Sequence, residues 1–336
     1  MLNLIQQIDS MIKSSDAVGA RELLGQLELN KVAREDARQV AALARRVGLC
    51  DISLHLLNPI VRSPNPLKVP PTEEEKLEYG AVLMKVGALE QSRRTLSELN
   101  SKRLPDALFF LALGYFSEWD YTAALPLLRE FVEHPSTSDY QKIVGRVNLT
   151  ACLVFEGHLT EAAGQLNDLL ARTREMQLNL LHGNCLELQA QLALQQKDFD
   201  GVKRALEAAN EILRGTSSIS ELYVRKWLTI SEGYRTGSMP AEFPKLRGDA
   251  LESGQWEVVR DCDFHAGVIT ENREMILRCY FGTPFEAYRR RLLKHAPLPD
   301  GVPDSYIDKP NSDLEPSIIL DVEAAAAGDQ QGEGIK

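Results

Sequence analysis

Apolar residues recur along this chain at the i, i+3, i+4, i+7 spacing of a helix face, and short polar breaks interrupt the pattern at intervals. The clearest stretch is Leu108 to Pro135. Its first run carries Leu108, Leu111, Ala112 and Tyr115, a polar break falls at Ser117 to Asp120, and its second run carries Ala124, Leu125, Leu128 and Phe131. This predicts two antiparallel helices. Ala112 and Ala124 fall where the pair must approach closely, and Pro135, with no N–H to give, ends the second helix.

The same unit repeats. Positions equivalent to Trp119 in the break are Ser15, Gly48, Gly87, Gly157 and Lys197, at spacings of 33, 39, 32, 38 and 40 residues. Five residues after each turn stands Ala20, Ser53, Ser92, Ala124, Ala162 or Val202. Four further on it is always leucine: Leu24, Leu57, Leu96, Leu128, Leu166 and Leu206. With its period near 36, Leu108 and Leu111-Ala112, then Tyr115, Ala124, Leu128 and Pro135, the pattern resembles the tetratricopeptide repeat (TPR), whose period is about 34. The resemblance covers about Leu2 to Gly215. Trp119 departs from it by replacing the usual turn glycine, and Leu128 by replacing an aromatic.

The resemblance implies an all-α, right-handed superhelix of helical hairpins, a TPR-like solenoid, whose first helices line an inner groove. On that basis Phe109, Leu113, Phe116, Asn148, Glu187, Gln191 and Gln195 face the groove and suit an extended or helical peptide. Packing against a neighbouring helix is the alternative reading of the same aromatics. The family's carboxylate clamp of paired Lys and Asn is not visible.

The rest of the chain is helical text with marked interruptions. Asn58 to Pro71 holds five prolines and predicts a break, after which Thr72 and Glu75 form a capping box. Beyond Gly215, helices are expected over 220–235, 241–253, 255–270 and 273–280. Thr283-Pro284-Phe285-Glu286 reads as the start of a last helix with Thr283 as its cap. From Ala296 the text turns rich in proline and aspartate and ends in low-complexity sequence, with one strand-like piece at Ser317 to Val322. The expected organisation is therefore a repeat array over 1–215, a helical cap over 216–295 and a largely disordered tail over 296–336.

Composition changes this picture little. The net charge of −10 argues against nucleic-acid binding by the whole chain, and Arg289-Arg290-Arg291 with Lys294 is the one dense basic cluster. It reads first as cations at a helix C-terminus, and second as a nucleic-acid contact. No apolar run approaches the ~20 residues of a membrane span, and the start lacks a secretory pattern, so a cytoplasmic protein is expected. The five cysteines are widely spaced and read as buried thiols. Asp261, Cys262 and His265 suggest a metal or Cys-His site, but Cys262 is rotated off the face that Asp261 and His265 share, and an ordinary helix histidine is the better reading. There is no HExxH, GxSxG or phosphate loop.

The reading is a non-catalytic scaffold that binds a protein or peptide in its groove, without cofactor or metal. The alternative is the sensor or assembly domain of a bacterial-type transcriptional regulator, with a DNA-binding domain beyond the tail. Self-association through exposed array ends is a separate expectation.

Overall fold

The computed structural model describes residues 2–13, 16–63, 69–214 and 218–298. Among these residues every regular element is helical: seventeen α-helices and one 3-10 turn at Leu29–Lys31. They pair as α1 (Leu2–Lys13) with α2 (Ala17–Gly25), α3 (Arg34–Arg46) with α4 (Cys50–Val61), and α5 (Glu73–Lys85) with α6 (Leu89–Ser97). Next come α7 (Asp106–Ser117) with α8 (Tyr121–Glu133), α9 (Asp139–Phe155) with α10 (Leu159–Glu175), and α11 (Asn179–Gln195) with α12 (Phe199–Leu213). The region past Gly215 contains two further hairpins, α13 (Ser218–Thr236) with α14 (Phe243–Glu252) and α15 (Trp256–Ile269) with α16 (Arg273–Gly282), followed by α17 (Glu286–Leu293). The strand-like Ser317 to Val322 and the tail from residue 299 lie outside the described residues.

One backbone device builds the hairpins. Of the aligned turn positions Ser15 lies outside the described residues; Gly48, Gly87, Trp119, Gly157 and Lys197 have φ of 81°, 81°, 61°, 80° and 59°, and Glu271 between α15 and α16 joins them at 51°. The N–H of the following residue donates to a carbonyl five residues back, as in Leu49 to Ala44, Asp120 to Tyr115 and Asn272 to Gly267 at 2.8, 2.9 and 2.9 Å. This left-handed closure satisfies carbonyls that the helix end would otherwise orphan.

The two sequence positions after each turn hold the hairpin together. Ala20, Ser53, Ser92, Ala124, Ala162 and Val202 are all at most 2% exposed, as are the six leucines four residues later. The two serines remain compatible with this burial because each donates across the hairpin to a carbonyl of the first helix, Ser53 Oγ to Ala41 O and Ser92 Oγ to Gly80 O, both at 2.7 Å. Close approach is also written into Gly80, where an added Cβ would lie 2.5 Å from Leu96.

The first helices pack on one another as well as on their partners, with contacts α1 to α3, α3 to α5, α5 to α7, α9 to α11, α11 to α13 and α13 to α15. They form one layer and the second helices the other. The array then folds back on itself. Trp119, at the α7/α8 turn, packs against Phe264 of α15 and Tyr288 of α17, with ring centres 5.4 and 4.4 Å apart. Arg260 of α15 donates to Ser117 O at 2.9 Å across 143 residues of sequence.

Two local expectations are corrected. The proline-rich break starts later than Asn58, because α4 continues through Pro59 to Val61. Pro59 sits in the last turn, so the N–H it lacks leaves only one helical bond unmade. The last helix begins at Glu286 with Phe285 as its cap residue; Thr283 is held extended before Pro284, and its Oγ1 accepts from the Phe285 N–H at 3.3 Å. The capping box is present as read: Thr72 Oγ1 accepts from Glu75 N at 3.1 Å, and the Glu75 carboxylate accepts from Thr72 N at 2.7 Å.

Candidate functional site

Closure of the array brings five hairpins around one small cavity of about 50 Å³. Phe116 of α7, Tyr121 of α8 and Phe155 of α9 make an apolar wall, with Tyr121 and Phe155 stacked at 4.6 Å and Phe116 edge-on to Tyr121 at 4.9 Å. The opposite walls are polar. Helix spacing puts Glu187 and Gln191 on one face of α11, Tyr223, Lys226 and Trp227 on one face of α13, and Glu257 and Asp261 on one face of α15.

These side chains form a single network. Lys226 is 2% exposed, and its Nζ donates to Asp261 Oδ2 at 2.6 Å while lying over the rings of Tyr223 and Trp227 at 4.3 and 4.5 Å. Trp227 Nε1–H donates to Glu187 Oε1 at 2.8 Å, and Gln191 Nε2 adds a longer contact at 3.4 Å. Tyr223 OH donates to Glu257 Oε2 at 3.2 Å. Gln191 Oε1 has no hydrogen-bond partner although the residue is only 8% exposed.

Burial and crowding of like charges shift the ionisation of these groups. Burial, then the neighbouring charge of Asp261, raises the Glu257 carboxyl from its ordinary value to about 7. Burial likewise raises Glu187, in spite of the lysine nearby. For Lys226 burial works against the ammonium, but Asp261, Glu187 and Glu257 outweigh it and hold its pKa above the usual value. Three carboxylates thus surround one ammonium.

The seven sequence candidates divide. Phe116, Asn148, Glu187 and Gln191 line the cavity. Phe109 does not; it packs against Phe131 with ring centres 5.0 Å apart, and Leu113 is buried in the same apolar cluster. Gln195 is exposed at the end of α11. Asn148 spends its amide nitrogen on Val144 O at 2.9 Å. Of the lining residues outside the seven candidates, Tyr121 and Phe155 belong to the repeat array, whereas Tyr223, Lys226, Trp227, Glu257 and Asp261 lie past Gly215, where the leucine register fades. Their signal was charged and aromatic residues three and four apart in otherwise apolar helices.

No family model matches the chain, and no curated sequence matches it. Among solved structures, the crystal structure of a Rap protein complexed with competence and sporulation factor matches 83% of this chain and 85% of its own, with a TM-score of 0.58 at 11% identity. The likeness is one of fold. This chain and that helical-repeat protein share an all-α array of TPR-like hairpins.

Two other sequence candidates resolve into structural ties. Asp261 is engaged by Lys226 and Asp263 by Arg247, at 2.6 Å each, and His265 Nδ1 lies 2.9 Å from Tyr234 OH, with Trp227 and Phe264 around its ring. Burial keeps this imidazole neutral, with its pKa lowered to about 4. Of the basic cluster, Arg289 donates to Tyr280 O at 3.2 Å, and Arg291 donates to Phe155 O and Glu156 at 3.2 and 3.1 Å. Arg289 thus ties α17 to α16, and Arg291 ties α17 back to the end of α9. Among the described residues no helix is long and apolar enough to cross a membrane.

Proposed function

We propose that the chain is a divergent TPR-like, non-catalytic binding module that receives a peptide or protein segment on the inner face of hairpins α7/α8 to α15/α16. The observation that carries this reading is the convergence of five hairpins on one cavity holding a buried, unpartnered acceptor, Gln191 Oε1. A buried polar group without a partner costs roughly 1 to 3 kcal/mol, and a ligand donor removes that cost. That the Rap structure is a complex with competence and sporulation factor supports the same use of the fold. The small cavity volume fits one anchoring group, with the remainder of the segment lying along the layer of first helices.

The test is selection of short random peptides on the immobilised chain, followed by titration of the hits against Trp227→Phe and Gln191→Leu variants of verified fold. Trp227→Phe keeps an aromatic ring, smaller than the indole, and removes the donor to Glu187; Gln191→Leu removes the orphan acceptor. Hits that weaken tenfold or more in both variants support the cavity as the anchor, the scale of one lost buried hydrogen bond. Hits indifferent to both move the binding surface elsewhere, and selection that returns no peptide above background sinks the proposal.

A further inference from the structure

We propose that the cavity seats one compact organic cation, an ammonium or guanidinium group carried by the bound segment; the inference deepens the peptide-binding reading and rests on it. Charge is the first reason. Glu187, Glu257 and Asp261 line the cavity with Lys226 as its one cationic lining residue, so acidic groups outnumber the ammonium there and an entering cation meets a more favourable field than an anion. Lys226 is 2% exposed, and its ammonium is drawn to Asp261 at 2.6 Å and to the rings of Tyr223 and Trp227.

The hydrogen-bond inventory gives the same answer independently. Of the donors on the polar walls, Lys226 Nζ, Trp227 Nε1 and Tyr223 OH are engaged with carboxylates. Gln191 Oε1, nine-tenths buried, is an acceptor left without a partner, and Glu187 and Glu257 keep further lone pairs toward the space. A group with several N–H donors and no acceptor is the chemical complement of that surplus, and ammonium and guanidinium are the two such groups in peptides.

The aromatic walls agree. Trp227, Tyr223, Tyr121 and Phe155 offer ring faces or edges around the space, and the rings of Tyr223 and Trp227 already hold one cation, Lys226. Tryptophan and tyrosine faces attract a second for the same electrostatic reason. The cavity, about 50 Å³ in volume, has room for a single head group.

The experiment titrates the full chain with butylammonium and butylguanidinium chloride, and with butanol and butyrate as neutral and anionic counterparts, by calorimetry at one fixed ionic strength. At least one cation should bind tenfold or more tighter than butanol, and butyrate should bind weakest. The preference should fall by at least tenfold in the Glu187→Gln/Glu257→Gln variant, which keeps side-chain shape and is checked for fold by circular dichroism. Butanol or butyrate binding as well as the cations overturns the proposal on the parent chain alone, whatever the variant does; so does cation binding unchanged in a folded variant.

A second arm separates the two sources of such a cation, comparing acetylated, amidated Gly-Lys-Gly and Gly-Arg-Gly with the free alkyl cations. Tighter binding of a tripeptide places the cation on a peptide. Equal binding leaves the cation seat standing and removes the peptide reading. Failure of every cation here, with peptide hits from selection intact, removes the seat and leaves the peptide reading standing.

Discussion

Glu257 illustrates how one residue can carry a functional charge at the expense of stability. Its carboxyl has an ordinary pKa of 4.5 and is raised to about 7 in the folded chain, first by burial and then by Asp261. Between those values the folded state holds a proton that the unfolded state has released. Stability therefore falls as pH rises from about 4.5 to 7 through this group, the reverse of a salt-bridged carboxylate. Glu257→Gln cannot ionise and loses that contribution. Its thermal midpoint, measured from pH 5 to 7.5, should gain on the parent as pH rises; parallel curves would show that Glu257 titrates normally. Glu187 is raised for the same leading cause, burial.

At the scale of the element, the turn is where sequence and structure meet most closely, and Trp119 is its exception. Residues with a Cβ rarely adopt φ of 61°, and holding one there costs of order 1 kcal/mol. The indole offsets this by packing on Phe264 and Tyr288 and by receiving the Arg260 guanidinium at 5.1 Å. Trp119→Gly should relieve the backbone yet destabilise by about 2 to 4 kcal/mol, since losing a buried tryptophan outweighs the gain. Trp119→Ala should be worse than Trp119→Gly by roughly 1 kcal/mol, because alanine loses the ring and keeps the strain. Urea denaturation decides both, and equal stability of the two variants would remove the strain argument.

The turn register and the leucine nine residues later were legible because each is a local requirement: a helix must end, and its successor must present an apolar stripe. The cavity was legible only in part. Of the residues picked out by repeat position, Phe116, Asn148, Glu187 and Gln191 line the cavity and Phe109 packs on Phe131; the first helix of that hairpin is apolar on nearly every side, so periodicity cannot say which ring faces outward. Lys226, Glu257 and Asp261 depend on closure of the array, a long-range event with no local signature.

That closure is the property of the whole molecule, and it rests on few contacts. Arg260 reaches Ser117 O, Arg291 reaches Phe155 O and Glu156, and both guanidinium groups lie over the Trp119 ring, at 5.1 and 5.9 Å. Each arginine holds α15 or α17 against residues more than a hundred positions earlier, so each ties the last hairpins to the middle of the array and shapes the cavity. Arg291→Ala should cost about 1 to 2 kcal/mol from its lost charge-assisted bonds, and Arg260→Ala somewhat more because its partner carbonyl is buried. Because both share Trp119, the double variant should lose less than the sum of the singles. Hydrogen exchange distinguishes a closing contact from general packing. Faster exchange confined to α15, α16 and α17, with α1 to α6 unchanged, identifies the C-terminal hairpin as a unit that opens on its own and exposes the cavity to a segment larger than its closed volume admits. Acceleration spread evenly from α1 to α17 would instead make closure part of one cooperative fold, and a ligand would then have to enter between the first helices.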